Sequence, residues 1–240
     1  MPIALDLHTH TIMSGHAYST LEENAAHAAR VGLEGLAVTD HGPALAGAPV
    51  DLYFLNQIQL PRWIDETFIL RGAEVNIIDF EGTVDLVPRA LKRLDLCIAS
   101  FHEVCIQPGT MDQHTTAWEA VVSNPLIDIM GHPGRGEYIF DIDHIVQLCA
   151  ANHKLVEINN HTMHLKGNHD DCLAIAKACM RYQVPVVVNS DAHFSRSVGR
   201  VELAEALLAE IDFPEALILN RSRQAVIGYL KERKPHLQGL

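Results

Sequence analysis

Short apolar runs alternate along the chain with segments in which apolar residues recur at helical spacing. The runs are rich in Val, Ile, Leu and Ala on both faces, which is typical of parallel strands covered by helices. They predict strands at residues 3–8, 35–39, 68–74, 95–101, 127–131, 155–159 and 185–190. The chain then has about seven β-α units, and their natural closure is an α/β, TIM-like barrel slightly smaller than the eight-stranded one.

The segments between these strands carry helix signals. Residues 20–30 open with the capping-box spacing from Thr20 to Glu23 and end near Gly32. Residues 141–150 and 170–180 show helical periodicity after an acidic start. No low-complexity linker or repeat divides the sequence, so we expect a single domain over residues 1–240.

Three polar residues alternate along the first predicted strand and its end: Asp6, His8 and His10. Residues two apart in a strand point to the same face. Two imidazoles at that spacing can hold one divalent metal, and Asp6 lies where a hydrogen-bonding partner of a ligand would be. The alternative is a pair of hydrogen-bonded surface histidines.

Potential metal ligands recur at the carboxyl ends of the other predicted strands. These residues are Glu74, His102, His132, Asp191 and His193, with His16 and His41 in the loops after the first two strands. TIM-like barrels keep their active sites at this end of the strands. Scattered structural histidines would not recur on strand after strand, so the pattern predicts a centre with several metal ions.

Composition limits the possible partners and location. The 240 residues are 48% hydrophobic, which is ample for a large core, and carry a formal net charge of −12. That charge disfavours a general nucleic-acid binder, which needs a basic face. No apolar stretch approaches the roughly 18 residues of a membrane span, and no signal segment precedes the first strand. The 5 cysteines, without a CxxC pair, are typical of reduced thiols, so we expect a cytoplasmic protein.

In these motifs the chain resembles the PHP (polymerase and histidinol phosphatase) domain family, and it is most similar to the YcdX-type phosphatases. The resemblance covers essentially the whole length. Its motifs are His-x-His at 8–10, Asp-His-Gly at 40–42, Gly-His-Pro-Gly at 131–134 and Ser-Asp-Ala-His at 190–193, with His16, Glu74 and His102 between them. It implies a distorted seven-stranded β/α barrel that holds three metal ions, usually zinc, and it suggests a homotrimer.

The resemblance also assigns nine side chains to three ions. The first ion would take His8, His10, Glu74 and Asp191, the second would share Glu74 and add His102 and His132, and the third would take His16, His41 and His193. Seven imidazoles and two carboxylates suit Zn²⁺, Mn²⁺ or Fe²⁺ and suit calcium or magnesium poorly. Glu74 has two oxygens and can bridge two ions, as two-metal hydrolysis requires.

The expected activity is metal-dependent phosphoester hydrolysis, most simply a phosphatase of small phosphorylated metabolites with a metal-bound hydroxide as nucleophile. A histidinol-phosphatase and a nucleotide or oligonucleotide phosphodiesterase (an exonuclease) are alternatives that share the metal pattern. The acidic charge favours a small soluble substrate over nucleic acid. An amidohydrolase-type metalloenzyme is a more distant alternative, because those barrels normally have eight strands and often a bridging lysine.

Further residues near the motifs are candidates for supporting roles. Asp40 is a candidate catalytic residue that would orient His41 or carry a proton, and closure of the turn is the simpler alternative. Arg135 lies where a guanidinium would meet a substrate phosphate. Asn189 is expected to face the barrel interior and to make a hydrogen bond behind the ligands.

The remaining aromatic residues and histidines have simpler expected positions. Trp63 and Trp118 are predicted to lie in the core or an interface. The other histidines are predicted at the surface: His27, His114, His144, His153, His161, His164, His169 and His236. His161 and His164, which follow the sixth predicted strand, are the candidates to reach the site.

Overall fold

The computed structural model describes residues 3–165 and 167–239, and its central element is a parallel sheet. The parallel strands lie in the order β1 (Leu5–Thr9), β2 (Gly35–Val38), β4 (Thr67–Asn76), β5 (Leu96–Ser100), β6 (Ile129–Met130), β7 (Leu155–Asn159) and β8 (Val186–Asn189). The two-residue β3 (Trp63–Ile64) pairs antiparallel with β4. Thr9 forms a parallel bridge with Ala192 just after β8, so the sheet makes a nearly closed barrel.

The predicted α/β barrel is therefore confirmed, and its seven parallel strands are those that the apolar runs predict. The boundaries differ most at β4, which extends to Asn76, and at β6, which is reduced to Ile129–Met130. β3 was not predicted, because two residues are too few to show a strand period.

In the part of the chain that the structure describes, six α-helices lie between strands and two follow β8. They are α1 (Leu21–Arg30), α2 (Asp51–Asn56), α3 (Pro88–Leu91), α4 (Met111–Ser123), α5 (Ile142–Ala151), α6 (His169–Tyr182), α7 (Glu202–Glu210) and α8 (Arg223–Arg233). The predicted capping box of α1 is confirmed, since Thr20 accepts a hydrogen bond from the Glu23 backbone and donates its own N–H to the Glu23 carboxylate. Among the described residues, no helix combines the length and the apolar composition needed to cross a bilayer.

The inside of the barrel changes from apolar to polar along the strands. At the amino ends, an apolar cluster that includes Leu70 of β4 and Leu155 of β7 packs against α8. Further along the same strands, at positions an even number of residues away, lie Glu74 and Glu157, both buried. The carboxyl end of the barrel is thus a polar site above an apolar floor.

A second apolar cluster fills the space between the sheet and the helices and contains Trp118. Trp63 does not join it: its side chain is 48% exposed, and the Arg223 guanidinium lies over its ring at 5.2 Å. The surface prediction for His114 is wrong, since this residue is buried. Its Nδ1 lies 2.7 Å from the Ile139 carbonyl and its Nε2 accepts from the Gly109 N–H, so both ring nitrogens have partners inside the fold.

Candidate metal centre

The structure brings the predicted metal ligands together at the carboxyl end of the barrel. Three groups have ligand atoms within 4.8 Å of one another: His8, His10 and Asp191; His41, Glu74 and His102; and His10, His41 and His193. His132 and His16 adjoin these groups, through Glu74 and His193 respectively. His10 and His41 each belong to two groups, which differs from the ligand sets implied by the family resemblance.

Glu74 is buried at the centre of these groups. Its Oε2 lies 2.8 Å from His41 Nδ1 and 3.2 Å from His8 Nε2, and its Oε1 lies 2.8 Å from His132 Nε2 and 3.4 Å from His102 Nε2. The two oxygens face different histidines, as a bridging ligand requires. Burial opposes ionisation, but the charges of His8, His41 and His102 hold the pKa of Glu74 well below its usual value.

Hydrogen bonds hold the Nδ1 side of three ligand rings and direct Nε2 toward the acidic residues. His8 Nδ1 lies 2.7 Å from Glu157 Oε1, His102 Nδ1 lies 2.7 Å from Asn76 Oδ1, and His10 Nδ1 lies 3.1 Å from Ser14 Oγ. A partner on Nδ1 fixes the tautomer and the orientation of a metal-ligating imidazole.

Several atoms of the centre are buried and lack a partner in hydrogen-bond geometry, although His41 Nδ1 and Glu74 Oε2 lie only 2.8 Å apart. Within residues 3–165 and 167–239 these include His8 Nε2, both ring nitrogens of His41, Glu74 Oε2 and His102 Nε2. Unsatisfied buried polar atoms destabilise a fold, and the five named here belong to residues of the three ligand groups. A divalent cation among them would satisfy these atoms, so the residues present fit a metal.

The direction of the His8 pKa shift also fits a metal ion at this site. Burial alone would lower it, but the carboxylates of Glu157 and Glu74 raise the pKa well above its usual value. The acidic oxygens that converge on the His8 ring thus favour a positive charge at this position, and a metal ion would supply that charge.

Two predicted ligands lie at unusual backbone positions. His132 has a φ of 27° and Asp191 a φ of 57°, a region that residues other than glycine rarely adopt. Such strain is concentrated at functional sites. The glycine of the Asp-His-Gly motif has a steric explanation, because a Cβ on Gly42 would overlap the Asp85 carboxylate.

Three supporting residues were missed by the sequence analysis: Glu157, Asn76 and Ser14. Glu157 is the most important, since its Oε1 faces the His8 ring and its Oε2 accepts the backbone N–H of His132. The available signal was a charged residue within the apolar run of β7. The predicted hydrogen bond of Asn189 is confirmed, and its Nδ2 donates to Glu157 Oε1 at 2.8 Å.

Asp6 does not support a ligand ring as expected. Its carboxylate accepts hydrogen bonds from the hydroxyl and N–H of Ser190 and from the Gly199 N–H, and so holds the loop after β8. The pairing of β1 with β2 shifts register between Asp6 and Thr9, which interrupts the alternation that the expectation assumed.

Asp40 closes a turn. Its carboxylate accepts from the Thr11 N–H and hydroxyl, from the Ser14 hydroxyl at 2.6 Å and from the Tyr53 hydroxyl at 2.6 Å. Through Ser14 it reaches the His10 ring and not the His41 ring. The geometry therefore gives Asp40 a structural role, and the turn that it holds, residues 11–14, follows β1 and is not its own.

Arg135 contacts a predicted ligand. Its Nη2 lies 2.6 Å from Asp191 Oδ2, and its Nε donates to Thr162 Oγ1. Burial opposes ionisation of Asp191, but the charges of His8 and Arg135 hold its pKa well below the usual value.

A cavity of about 710 Å³ opens beside the ligands, and Arg135 is part of its lining. His161 also lines it, with its ring centroid 6.2 Å from that of His193. His164 contacts His161, at a centroid distance of 6.3 Å. Apart from His114, the histidines predicted at the surface are exposed or half-exposed.

The sequence is similar to a known protein family and to several proteins of known description. The family model described as PHP domain matches residues 6–161, and one described as PHP-associated matches residues 171–217. A protein described as a probable phosphatase from Caldicellulosiruptor saccharolyticus is 43% identical over 232 residues, which cover 96% of this chain and 97% of the relative. A probable phosphatase from Acetivibrio thermocellus is 41% identical over 239 residues, with 99% of each chain covered.

Among solved structures, the fold is similar to histidinol phosphate phosphatase from Lactococcus lactis, which was crystallised with zinc, L-histidinol and phosphate. The TM-score is 0.63 at 16% identity, covering 89% of this chain and 95% of that chain. The structural likeness shows a shared barrel fold. The family model and the relatives show that the sequence is similar as well. The chain belongs to the PHP domain family.

Proposed function

We propose that this chain, a metal-dependent phosphatase, hydrolyses small phosphorylated metabolites and holds three divalent ions, most simply Zn²⁺. The observation that carries the proposal is the set of imidazoles whose Nε2 atoms converge on the buried carboxylates of Glu74 and Asp191. Nitrogen-rich sites with a few carboxylates favour zinc, and manganese or iron are the alternatives.

The distances support the ligand sets in part. His8 and His10 lie within 3.5 Å of both Glu74 and Asp191, as ligands of one ion would. His102 and His132 adjoin the other oxygen of Glu74 and would share it with a second ion. The third ion would be held by His16, His41 and His193. When bound, the ions would lower the pKa of a water molecule and neutralise charge on the phosphoryl group.

Arg135 is the side chain proposed to hold the substrate phosphate. Its guanidinium is held by Asp191 and Thr162 and lies in the cavity lining. Because several donors remain on a guanidinium in this arrangement, Arg135 would bind phosphoryl oxygens while Asp191 fixes its orientation. Glu74 would keep the two groups of ligands that face its two carboxylate oxygens at a constant separation.

A small substrate is favoured over a nucleic acid by charge and by shape. The chain carries 18 basic and 30 acidic residues, whereas a strand of nucleic acid requires a basic groove and stacking aromatics. The cavity of about 710 Å³ is of the size that holds a small molecule. We therefore propose that oligonucleotides are poor substrates.

The test is metal analysis combined with a comparison of substrates. Protein purified without chelator should contain about three transition-metal ions per chain and should hydrolyse phosphomonoesters, and chelation should abolish the activity. The kcat/KM for a mononucleotide should exceed that for a short single strand with the same terminal base. A preference for the oligonucleotide of more than about a hundredfold, roughly 2.7 kcal/mol, would identify an exonuclease instead.

A cytoplasmic location is proposed on the state of the cysteines. All five are free thiols, four of them buried, as expected for a protein of a reducing compartment. The homotrimer stays a prediction, and light scattering at working concentration tests it: a single monomeric species would contradict it.

A further inference from the structure

The lining of the cavity beside the metal centre contains two chemically different sets of residues. One set consists of ligand imidazoles and Arg135. The other consists of apolar and aromatic side chains, Leu45, Phe101, Val104, Tyr138 and Leu165, which we call the apolar wall. Since a phosphoryl group at the metal ligands would occupy a small part of about 710 Å³, the rest of the cavity faces whatever the phosphate is attached to.

The apolar wall comes from four separate loops at the carboxyl end of the barrel, after β2, β5, β6 and β7. Two of its members are exposed although they are large and apolar, with Val104 74% and Leu165 44% accessible. Exposed apolar side chains beside an active site commonly mark a binding surface. Convergence from several loops on one cavity indicates a surface formed for a ligand.

Hydrogen bonds and ring stacking hold the wall in place. The rings of Phe101 and Tyr138 stack with centroids 4.6 Å apart, and the Tyr138 hydroxyl donates to the Ile106 carbonyl at 2.6 Å. His114 connects the loop after β5 to the loop after β6, through Gly109 and Ile139. Tyr138 and Phe101 are themselves buried, 6% and 4% accessible, so they support the wall while Val104 and Leu165 supply most of its accessible apolar surface.

We propose that the apolar wall binds the alcohol half of the phosphomonoester and selects alcohols with an apolar group over polyhydroxylated ones. This inference rests on the proposed phosphatase function. Burying apolar area is worth roughly 25 cal/mol per Å², whereas hydroxyl groups placed against the wall would lose water without gaining partners. Glu103, which is also part of the lining, is exposed and carries the one acidic group of the loop after β5 in that lining.

The reaction is hydrolysis. A bond forms between the oxygen of water and phosphorus, and the bond from phosphorus to the ester oxygen breaks. The electron pair of that bond goes to the leaving alkoxide, which takes up a proton, so the products are the alcohol and inorganic phosphate. The wall contacts the alcohol throughout and therefore affects substrate choice without taking part in bond changes.

The test compares two esters of primary alcohols that each carry a six-membered ring, 2-phenylethyl phosphate and glucose 6-phosphate. With the metal-loaded protein, we expect kcat/KM to be at least about tenfold higher for the phenylethyl ester. Equal values or a preference for the sugar phosphate would overturn the inference and leave the phosphatase function standing.

A binding measurement separates the inference from the proposed function. By calorimetry, 2-phenylethylphosphonate, which cannot be hydrolysed at its carbon–phosphorus bond, should bind at least about tenfold more tightly than methylphosphonate. If 2-phenylethylphosphonate binds more tightly but no phosphomonoester is hydrolysed, the proposed role of the apolar wall stands and the phosphatase function is refuted. Equal affinities of the two phosphonates would refute the wall.

Matched variants locate the effect. Val104→Asn should reduce the preference for the phenylethyl ester at least about threefold, because it replaces apolar contact area with an amide. Val50→Asn is the control, since Val50 is a similarly exposed valine, 68% accessible, that is not part of the described cavity lining. If Val104→Asn and Leu165→Asn both keep the full preference for the phenylethyl ester, the proposal is contradicted.

Discussion

The Nε2 atoms of His16 and His193 lie 2.9 Å apart at the exposed edge of the metal centre. The Nδ1 of each ring faces a carbonyl oxygen at 3.0 Å, that of Ser14 for His16 and that of Asp191 for His193. Because a carbonyl only accepts, both Nδ1 atoms carry hydrogen, so that two uncharged rings in this arrangement would direct their Nε2 lone pairs at each other. A cation between the rings would relieve this repulsion.

The first prediction concerns the metal content of the variant His16→Ala. We expect this variant to lose about one metal ion per chain and to keep the others, because His16 belongs to one proposed ligand set. Elemental analysis of folded, chelator-free protein measures the change. His27→Ala on α1 is the control and should keep the full metal content. Loss of every ion from the His16 variant would contradict a separate third site.

Glu157 is the subject of the second prediction. Its carboxylate orients the His8 ring, so Glu157→Gln should weaken metal binding about 10- to 100-fold, as loss of such partners commonly does. Competition with a chelator of known affinity measures this. Glu119→Gln is a matched control, because Glu119 Oε1 lies 2.6 Å from His144 Nε2 in a similar pair at the surface. Equal affinities in the two variants would refute the role of Glu157.

The third prediction concerns Glu74. Glu74→Ala should lower phosphatase turnover about a thousandfold or more, and more than any single histidine substitution, because it removes a ligand from two ions whose charge is worth several kcal/mol. Turnover and metal content should be measured on the same sample. Near-normal turnover with metal still bound would show that Glu74 does not bridge.

The fourth prediction is a pH dependence of the chelator-treated protein. Burial and the neighbouring Arg135 lower the pKa of His132 from 6.5 to about 4. At a pH between these two pKa values, the His132 ring is protonated in the unfolded chain and neutral in the folded chain. The free energy of unfolding should therefore fall as the pH decreases from 6.5 to 4, by up to about 3 kcal/mol from this residue, and should lose nothing further from it at lower pH.

Denaturant unfolding at several pH values measures this dependence. His132→Asn removes the titrating ring, so the variant should show a smaller loss of stability across the same range than the parent protein. The comparison isolates His132 from the other groups of the centre that titrate. Identical pH slopes in the two proteins would show that His132 is not held neutral in the fold.

The sequence by itself predicted the barrel and the metal ligands, for a local reason. Parallel strands buried on both faces are continuous apolar runs, so β2, β4 and β7 were recognisable without their neighbours. Ligands such as Glu74 and His102 end those runs, and the carboxyl ends of parallel strands meet at one end of a barrel. The convergence of the nine side chains therefore follows from their positions along the chain.

The tertiary structure alone decided which groups support those ligands. His8 and Glu157 are separated by 149 positions, and they meet because closure of the barrel leaves only β8 between the strands β1 and β7 that carry them. Asp6 was expected behind a ligand, but the register shift in β1 directs it to the loop after β8. Arg135 was expected at a phosphate, and its contact with Asp191 was not foreseen. Strand register and barrel closure set such contacts, and a local sequence pattern contains information on neither.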